Sequence, residues 1–236
     1  MSGVGSTVPP KSEVPAPPAP ERGLSGYFGD AVALARKDLL LELRARDTLP
    51  AMLLFVVTAL VVFHFALPAE ASATAAKGLL WVAIVFTSLL GLARAFVAER
   101  EQGLLDALVL TPADRSAIWL GKTLAVLAFL GAAEVVALPA FSLFFSGIDL
   151  ATVGAVVLAD LGICAVGTLV AAMSVAGRAR ELLLPLLFLP LAIPAIAGGV
   201  GASVSGEPAR YLGFLALYDG VFALLAWASF EYVVVE

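Results

Sequence analysis

Long apolar runs separated by short polar stretches dominate this chain of 236 residues. A bilayer core about 30 Å thick needs about 20 mostly apolar residues in each helix that crosses it. Inside lipid, a continuous helix is what satisfies the backbone amides of such a run. The pattern predicts six membrane-spanning helices, near residues 48–69, 78–98, 116–148, 150–177, 182–206 and 211–232.

Composition agrees with this pattern. Hydrophobic residues make up 61% of the chain and charged residues 14%, and the mean hydropathy is +1.01. Soluble domains carry about 25% charged residues, so a water-soluble globule is excluded. The expected fold class is therefore an all-α polytopic membrane protein. No basic block exists to follow a phosphate backbone, so we expect no nucleic-acid partner. The single cysteine, Cys164, rules out an internal disulfide and is typical of a small packing residue.

The distribution of lysine and arginine predicts the orientation. If the N-terminus is cytoplasmic, all of these residues fall on the inner side except Lys77 and Arg210. Positive residues are enriched in cytoplasmic loops, so a cytoplasmic N-terminus is expected.

Two segments precede the first span. Residues 1–23 are rich in proline and lack an apolar core, which predicts a disordered cytoplasmic tail and no signal peptide. Residues 24–47 form the start of a membrane domain covering 24–236, and their apolar positions, from Phe28 to Leu43, recur at helical spacing. We expect an interfacial helix over 24–47, with basic residues such as Lys37 and Arg44 near anionic headgroups. The alternative is an extra turn of the first spanning helix.

The loop between the second and third spans predicts a coupling helix over residues 99–110. It is too short and too polar to cross a bilayer, yet apolar residues recur in it at helical spacing. Such a helix can seat in a groove of a partner protein, with apolar anchors inside and acidic residues at the rim. The alternative is a connector whose leucines dip into lipid. The residues assigned to this coupling role are Glu99, Glu101, Gly103, Leu104, Leu105, Asp106, Leu108 and Pro112.

The start of the third span carries two further signals. Residues 111–114 read as a capping box with Thr111 as the N-cap and Pro112 at the first helical position. Residues 116–123 end like a phosphate-binding loop, but their backbone amides belong to a helix and cannot cradle phosphates. Lys122 is interpreted as snorkelling to the cytoplasmic headgroups. We therefore expect no enzyme activity in this chain, and any ATP hydrolysis in a separate subunit.

Charged residues inside the spans are candidates for function. A carboxylate at mid-helix costs about 2.5–3.5 kcal/mol, so Glu134 and Asp160 should face the bundle interior. They are either coupling groups or partners in an interhelical hydrogen bond, and we favour the second interpretation. Asp219 lies closer to a helix start and is expected to reach outer-leaflet water. Pro185, Pro190 and Pro194 interrupt the hydrogen-bond ladder of the fifth span, which fits either a hinge or a tight packing surface.

Three stretches of the sequence resemble the CcmB family. One is residues 92–96, with Arg94 and Phe96, followed by a loop that matches E-x-G-x-L-x-x-L-x-x-x-P from Glu101 to Pro112. The second is Gly121-Lys122, and the third is residues 180–198, with its Leu-Pro-x-x-x-Pro core. The resemblance covers residues 28–232. The chain departs from the family in its Pro-rich tail and in Ala93, where an acidic residue is common.

The resemblance implies an ABC-2-like permease subunit in a bacterial inner membrane. It implies a homodimer bound to cytoplasmic ABC ATPase subunits, a heme-handling membrane protein and a small single-span protein of the same complex. The complex would export heme, or use ATP to free a heme-loaded periplasmic chaperone, during cytochrome c maturation. Heme would be its handled ligand, with ATP bound by the partner and no cofactor held stably by this chain.

His64, the only histidine, is interpreted as an interfacial side chain, with heme ligation as the alternative. Two other functions stay open: an ABC-2-type permease for a drug, lipid or polysaccharide, and a membrane scaffold that transports nothing.

Overall fold

The computed structural model describes residues 24–68, 73–97, 114–145, 147–175 and 180–233. These segments form seven α-helices and contain no strand. The helices are α1 (Leu24–Ala45), α2 (Thr48–Ala66), α3 (Ala73–Arg94), α4 (Arg115–Phe144), α5 (Leu150–Val175), α6 (Arg180–Val204) and α7 (Pro208–Val233). Six of them, α2 to α7, are long and apolar enough to cross a membrane. The predicted all-α fold with six spans is confirmed.

The helix ends differ from the predicted spans by a few residues. The second spanning helix begins at Ala73, the third ends at Phe144, and the last begins at Pro208. The predicted tail, residues 1–23, and the predicted coupling helix, residues 99–110, lie outside the described residues. Consecutive spans alternate in direction, so the bundle has two end faces. One holds α1 and the ends of α3 and α4 that flank residues 98–113, and we call it the α1 end. The other is the short-loop end.

Helix α5 lies at the centre of the bundle. It packs against α3, α4, α6 and α7, and 67% of its most apolar stretch is buried. The corresponding figure is 17% for both α2 and α7, which places these two helices at the periphery. The core contains large side chains from several helices, among them Trp81, Phe141, Phe188 and Phe230. Cys164 is fully buried in this core, as predicted for a packing residue.

The corner between α1 and α2 is closed by residues of α1. Arg46 adopts a left-handed conformation, with φ of 59°, and its N–H donates to Glu42 O at 2.8 Å, which ends α1. The Glu42 carboxylate then accepts a hydrogen bond from Thr48 N at 2.7 Å. Asp47 makes no side-chain cap of its own. The first spanning helix is therefore capped by the helix that precedes it.

Helix α1 packs closely on the first turns of α4. A Cβ atom added at Gly121 would lie 2.8 Å from both Ala31 O and Leu34 Cβ. Ala31 and Ala35 are buried in this contact, while Phe28, Val32 and Leu43, on the predicted apolar stripe, stay exposed. Small residues on both sides let the two helix backbones approach each other.

The N-cap of α4 differs from the one predicted in the capping box. The helix begins at Arg115, and Asp114 is its N-cap, three residues beyond Thr111. The Asp114 carboxylate accepts hydrogen bonds from Ser116 N at 3.0 Å and from Ser116 Oγ at 2.8 Å. Aspartate is as good an N-cap as threonine, and the serine two residues later gives it a second donor. Residues 111–113 lie outside the described residues.

Helix α6 continues through all three of its prolines without a break. The Tyr218 hydroxyl donates to Leu191 O at 2.8 Å, in the turn before Pro194, so a neighbouring helix supplies a donor where proline disturbs the ladder. Near the C-terminal end, Gly199 lies directly against the Trp81 ring of α3, and Gly201 lies against the Tyr211 ring of α7. These glycines form a tight packing surface.

Candidate functional site

Three carboxylic side chains from three helices meet inside the bundle. They are Glu134 on α4, Asp160 on α5 and Asp219 on α7. Glu134 is 6% exposed and Asp160 is 3% exposed. The carboxyl groups of Glu134 and Asp160 are close enough to interact directly, and Asp219 is close enough to Asp160 to interact with it electrostatically. Glu134 Oε1, Asp160 Oδ1 and both Asp219 oxygens have no hydrogen-bond partner among the described residues. The sequence analysis placed the first two residues in the interior, and the structure brings them together.

The three residues lie at a similar depth. Glu134 is ten residues from the end of α4 at Phe144, and Asp160 is ten residues from the start of α5 at Leu150. Asp219 is eleven residues from the start of α7. All three of these helix ends are at the short-loop end. At 1.5 Å per residue, each carboxyl group lies about 15 Å below that face, near the middle of a bilayer core.

The prediction that Asp219 reaches outer-leaflet water is wrong. The side chain does not reach outward but lies against the backbone of Gly162 on α5, where a larger side chain would collide with it. Both of its carboxyl oxygens are buried, and so are Glu134 Oε1 and Asp160 Oδ1. Because Gly162 has no Cβ atom, α5 leaves room at this position for the Asp219 carboxyl group.

The chemistry of this cluster is that of hydrogen bonding between acids. A hydrogen bond between two carboxyl groups requires a proton on one of them, because an ionised carboxylate has no donor. Among the described residues, no group of three or more His, Cys, Asp or Glu side chains is arranged to hold a metal ion. The Glu134–Asp160 contact joins α4 to α5, and whether it also couples a movement to function stays a prediction.

A second polar centre lies at the α1 end, around Lys122. Its ammonium group is buried, 2.9 Å from Asp38 Oδ2 on α1 and 2.9 Å from Ala95 O, just beyond the end of α3. It also lies 5.1 Å from the centre of the Phe96 ring. The prediction that Lys122 snorkels to headgroups is wrong, because protein groups surround the ammonium. Asp38 and Lys122 were not paired by sequence reasoning, since they are far apart in the chain.

A shallow pocket opens beside this centre at the α1 end. Its walls come from α1, α2, the end of α3 and α4. Arg94 lines the pocket and lies 4.0 Å from Asp47, with both side chains largely exposed. Position 93 is alanine here, so it gives Arg94 no acidic neighbour. Asp47 pairs with Arg94 instead, and the pair is weak because both side chains are exposed.

A third polar cluster ties together helices at the short-loop end. Lys77, on α3, donates to Ser203 O on α6 and lies 3.3 Å from Asp149 Oδ2 before α5. Asp149 is also the N-cap of α5, accepting from Thr152 N at 2.7 Å. The Thr152 side chain has the largest effect on Asp149 and lowers its pKa, and burial opposes it with the second-largest effect. The Thr152 backbone N–H and the Lys77 ammonium then hold the pKa of Asp149 below its usual value.

His64 lies near the end of α2 on the short-loop side, among aromatic rings. Its ring centre is 5.4 Å from those of Phe65 and Phe144 and 5.7 Å from that of Phe145. The side chain is exposed, which fits the favoured interpretation as an interfacial residue. Heme ligation by His64 stays an untested alternative.

The other predicted site residues divide into two groups. Pro185, Pro190 and Pro194 lie within α6 as described above. The coupling residues lie outside the described residues, as a set: Glu99, Glu101, Gly103, Leu104, Leu105, Asp106, Leu108 and Pro112. What the structure does describe is the anchoring on both sides of that loop, at Ala95 and at Asp114.

Comparison with known proteins identifies the family. The CcmB protein family matches residues 30–233, which is most of the chain. The chain belongs to the CcmB family. Curated CcmB relatives named heme exporter protein B align with it over similar lengths. The protein of Bradyrhizobium diazoefficiens is 32% identical over 72% of this chain and 79% of its own. That of Rhodobacter capsulatus is 33% identical over 71% and 79%, and that of Paracoccus denitrificans is 31% identical over 84% and 94%.

Membership of the CcmB family places this chain among membrane subunits of transporters. With six candidate spans and bacterial relatives, it is a multi-pass protein of the inner membrane. Residues 30–233 include all three polar centres, so each of them belongs to the family domain. The sequence contained no clear signal for the carboxylate cluster. The three acids lie at a similar distance from their helix ends only when those ends are taken from the structure, because the predicted ends of the third and sixth spans were a few residues off.

Proposed function

We propose that this chain is the membrane-spanning subunit of an ABC-type complex for cytochrome c maturation. The complex would export heme or release a heme-loaded periplasmic chaperone at the expense of ATP. The observation that carries this proposal is the family match over residues 30–233, together with relatives named heme exporter protein B. In this proposal heme is cargo, and this chain keeps no heme bound.

The proposed orientation has the α1 end in the cytoplasm. Positive residues support it, because cytoplasmic faces of membrane proteins are enriched in lysine and arginine. Lys77 and Arg210 belong to the short-loop end, where α3 and α7 begin. The basic residues on or next to α1 belong to the opposite end: Arg36, Lys37, Arg44 and Arg46.

The proposed mechanism is mechanical, with ATP hydrolysed by a separate cytoplasmic subunit. Closure of the ATPase would push on the segment between α3 and α4, where Leu104, Leu105 and Leu108 would anchor in a groove of the ATPase. The helix start at Asp114 supports this role, because a firmly capped α4 can receive a force applied to the segment before it. The acidic residues Glu99, Glu101 and Asp106 would lie at the rim.

The proposed assembly is a homodimer of this chain with two ATPase subunits, a heme-handling membrane protein and a small single-span protein. The peripheral helices α2 and α7 are compatible with a dimer, since both present mostly apolar faces that a neighbouring helix or lipid can cover. The expected position is multi-pass in the inner membrane, with no nucleic-acid partner.

The first experiment tests the biological role. Deletion of the gene should abolish c-type cytochromes, detected by heme staining of membrane proteins, and expression of this chain should restore them. Intact c-type cytochromes in the deletion strain would contradict the proposal. In that case, accumulation of a drug, lipid or polysaccharide would point to an ABC-2 permease for that substrate.

A second experiment tests the coupling loop. The double variant Leu104→Asp, Leu108→Asp should lose the ATPase on co-purification, because two buried anchors become charged. The control, Gln102→Asp, adds a carboxylate to the same loop on the opposite side of the predicted helix and should retain the ATPase. Equal yields of ATPase with both variants would contradict an anchoring role for the leucines.

A further inference from the structure

The contacts around Lys122 join three parts of the molecule through one ammonium group. Its partners are Asp38 on α1, Ala95 O and the Phe96 ring after α3, while its own backbone lies in α4. The Asp38 side chain is 12% exposed and that of Lys122 is 6% exposed. Both charges are thus largely removed from solvent, which makes their pairing stronger than a surface salt bridge.

The positions of these partners along the chain give the cluster its significance. Ala95 and Phe96 are among the last described residues before the segment 98–113, and Asp114 caps α4 immediately after it. Lys122 lies two turns into α4. The ammonium therefore links the chain just before the segment to the first turns of the helix that follows it, and the same group contacts α1.

The packing around Lys122 leaves α1 little freedom to move separately. Directly beside it, Gly121 lets α1 approach so closely that an added Cβ would lie 2.8 Å from Ala31 O and from Leu34 Cβ. The Asp38 contact is one turn further along α1 from this crossing. Close backbone packing and a buried ion pair at one place make α1 and the first turns of α4 a single unit.

We infer that Lys122 is a positioning residue that transmits movement of segment 98–113 to α1. A displacement of the segment moves Ala95 and Phe96, and the ammonium they hold carries Asp38 and α1 with it. This inference rests on the proposed function, because it takes the segment to be the place where the ATPase acts. It adds that α1 is a moving part of the permease and not a passive anchor at the membrane surface.

The test measures the two movements separately in the purified complex with its ATPase. Two doubly labelled proteins are made in a Cys164→Ala background, each with one spin label at Ala228→Cys on α7. The second label is at Gln102→Cys in one protein, which measures the distance from α7 to the segment. It is at Arg36→Cys in the other, which measures the distance from α7 to α1. Addition of MgATP should shift both distances in the parent protein. Lys122→Met should keep the shift at residue 102 and lose the shift at residue 36.

Two further variants make the result specific. Asp38→Ala removes only the α1 side of the cluster and should reduce the shift at residue 36, because only the packing at Gly121 then couples α1 to α4. This variant covers the case in which Lys122→Met fails to fold. Lys37→Met is the matched control, since Lys37 pairs with Asp38 Oδ1 at 3.1 Å from within α1, and it should leave both shifts unchanged. A merely structural role for Lys122 would lower the yield of the complex without separating the two movements.

The outcomes distinguish this inference from the proposed function. Loss of the shift at residue 36 alone in Lys122→Met, or its reduction in Asp38→Ala, supports the inference. A full shift at residue 36 in both variants overturns it while leaving the coupling role of the segment intact. The absence of any shift at residue 102 in the parent protein contradicts the coupling role itself, and the inference fails with it.

Discussion

The indole of Trp81 illustrates how a distant partner decides the role of a residue. A tryptophan near the end of a spanning helix is typical of the membrane interface. Here the ring is fully buried against Gly199, and its Nε1 donates to Ser203 Oγ at 3.1 Å. Both partners are on α6, more than a hundred residues away in sequence. No local pattern around Trp81 contains that information.

The contact between Trp81 and Gly199 leads to a first prediction. Gly199→Ala should destabilise the protein by about 1–3 kcal/mol, because a methyl group would collide with a buried ring that has no room to move. The matched control is Gly131→Ala on α4, where, apart from the adjoining backbone of α4 itself, no atom of the described residues lies within 4 Å of the added Cβ. It should gain about 0.5–1 kcal/mol from the better helix former. Thermal unfolding in detergent measures both, and equal stability of the two variants would contradict the packing described.

The acid pair leads to a second prediction at the scale of residues. Asp160→Asn keeps a hydrogen-bonding partner for Glu134 and removes the need for a shared proton, so stability and cytochrome c maturation should both be retained. Asp160→Leu leaves Glu134 without that partner and should cost about 1–3 kcal/mol. Thermal unfolding and heme staining of membranes test the pair.

The two readouts also separate the alternatives for this pair. A stable Asp160→Asn protein that no longer supports c-type cytochromes would show that the pair couples movement to function. Equal destabilisation by both substitutions would contradict the hydrogen-bond interpretation.

At the scale of elements, the apolar runs predicted the helices well because each run must satisfy its own backbone amides in lipid. The ends were predicted less well. Proline and threonine at 111–112 suggested the start of α4, but Asp114 has the better second donor in Ser116. The corner after α1 was placed correctly, just before Thr48, but its capping was not predicted, because the cap comes from Glu42 of the preceding helix and the turn from a left-handed Arg46.

The N-cap of α5 allows a prediction about pH. Since the pKa of Asp149 is lowered in the folded state, its ionised form stabilises the fold above the unfolded value of about 3.9, and this contribution is lost as the pH falls through the folded value. Asp149→Asn keeps the cap but not the charge. The variant should therefore have a lower melting temperature than the parent protein at neutral pH. The loss in free energy of unfolding should be less than about 1 kcal/mol, because the Asp149 side chain is half exposed.

The pH dependence is measured by thermal unfolding from neutral pH down to below the unfolded pKa. The difference between the parent protein and Asp149→Asn should shrink as the medium becomes more acidic. Glu207→Gln, which removes another exposed acid at the short-loop end, serves as the control. A difference that stays constant across this range would contradict a role for the Asp149 charge.

At the scale of the whole molecule, the sequence predicted the number of spans but not their arrangement. Hydropathy shows which residues enter the membrane, and it does not show that α5 is central or that α1 lies on α4. Glu134 and Asp160 were therefore predicted only as separate interior acids, and Asp219 was wrongly expected to reach outer-leaflet water. Likewise, Lys122 was expected among headgroups because its partner Asp38 is far away in the chain and the sequence did not pair the two. Tertiary contacts between distant segments decide these roles.

The central claim is that residues 98–113 face the cytoplasm and receive force from an ATPase. The most direct measurement uses single cysteines in a Cys164→Ala background, labelled with a membrane-impermeant maleimide in spheroplasts. Gly147→Cys, at the short-loop end, should react in intact spheroplasts. Gln102→Cys should react only after the membrane is opened, and it should crosslink to the ATPase in purified complexes. Labelling of Gln102→Cys in intact spheroplasts would contradict the account.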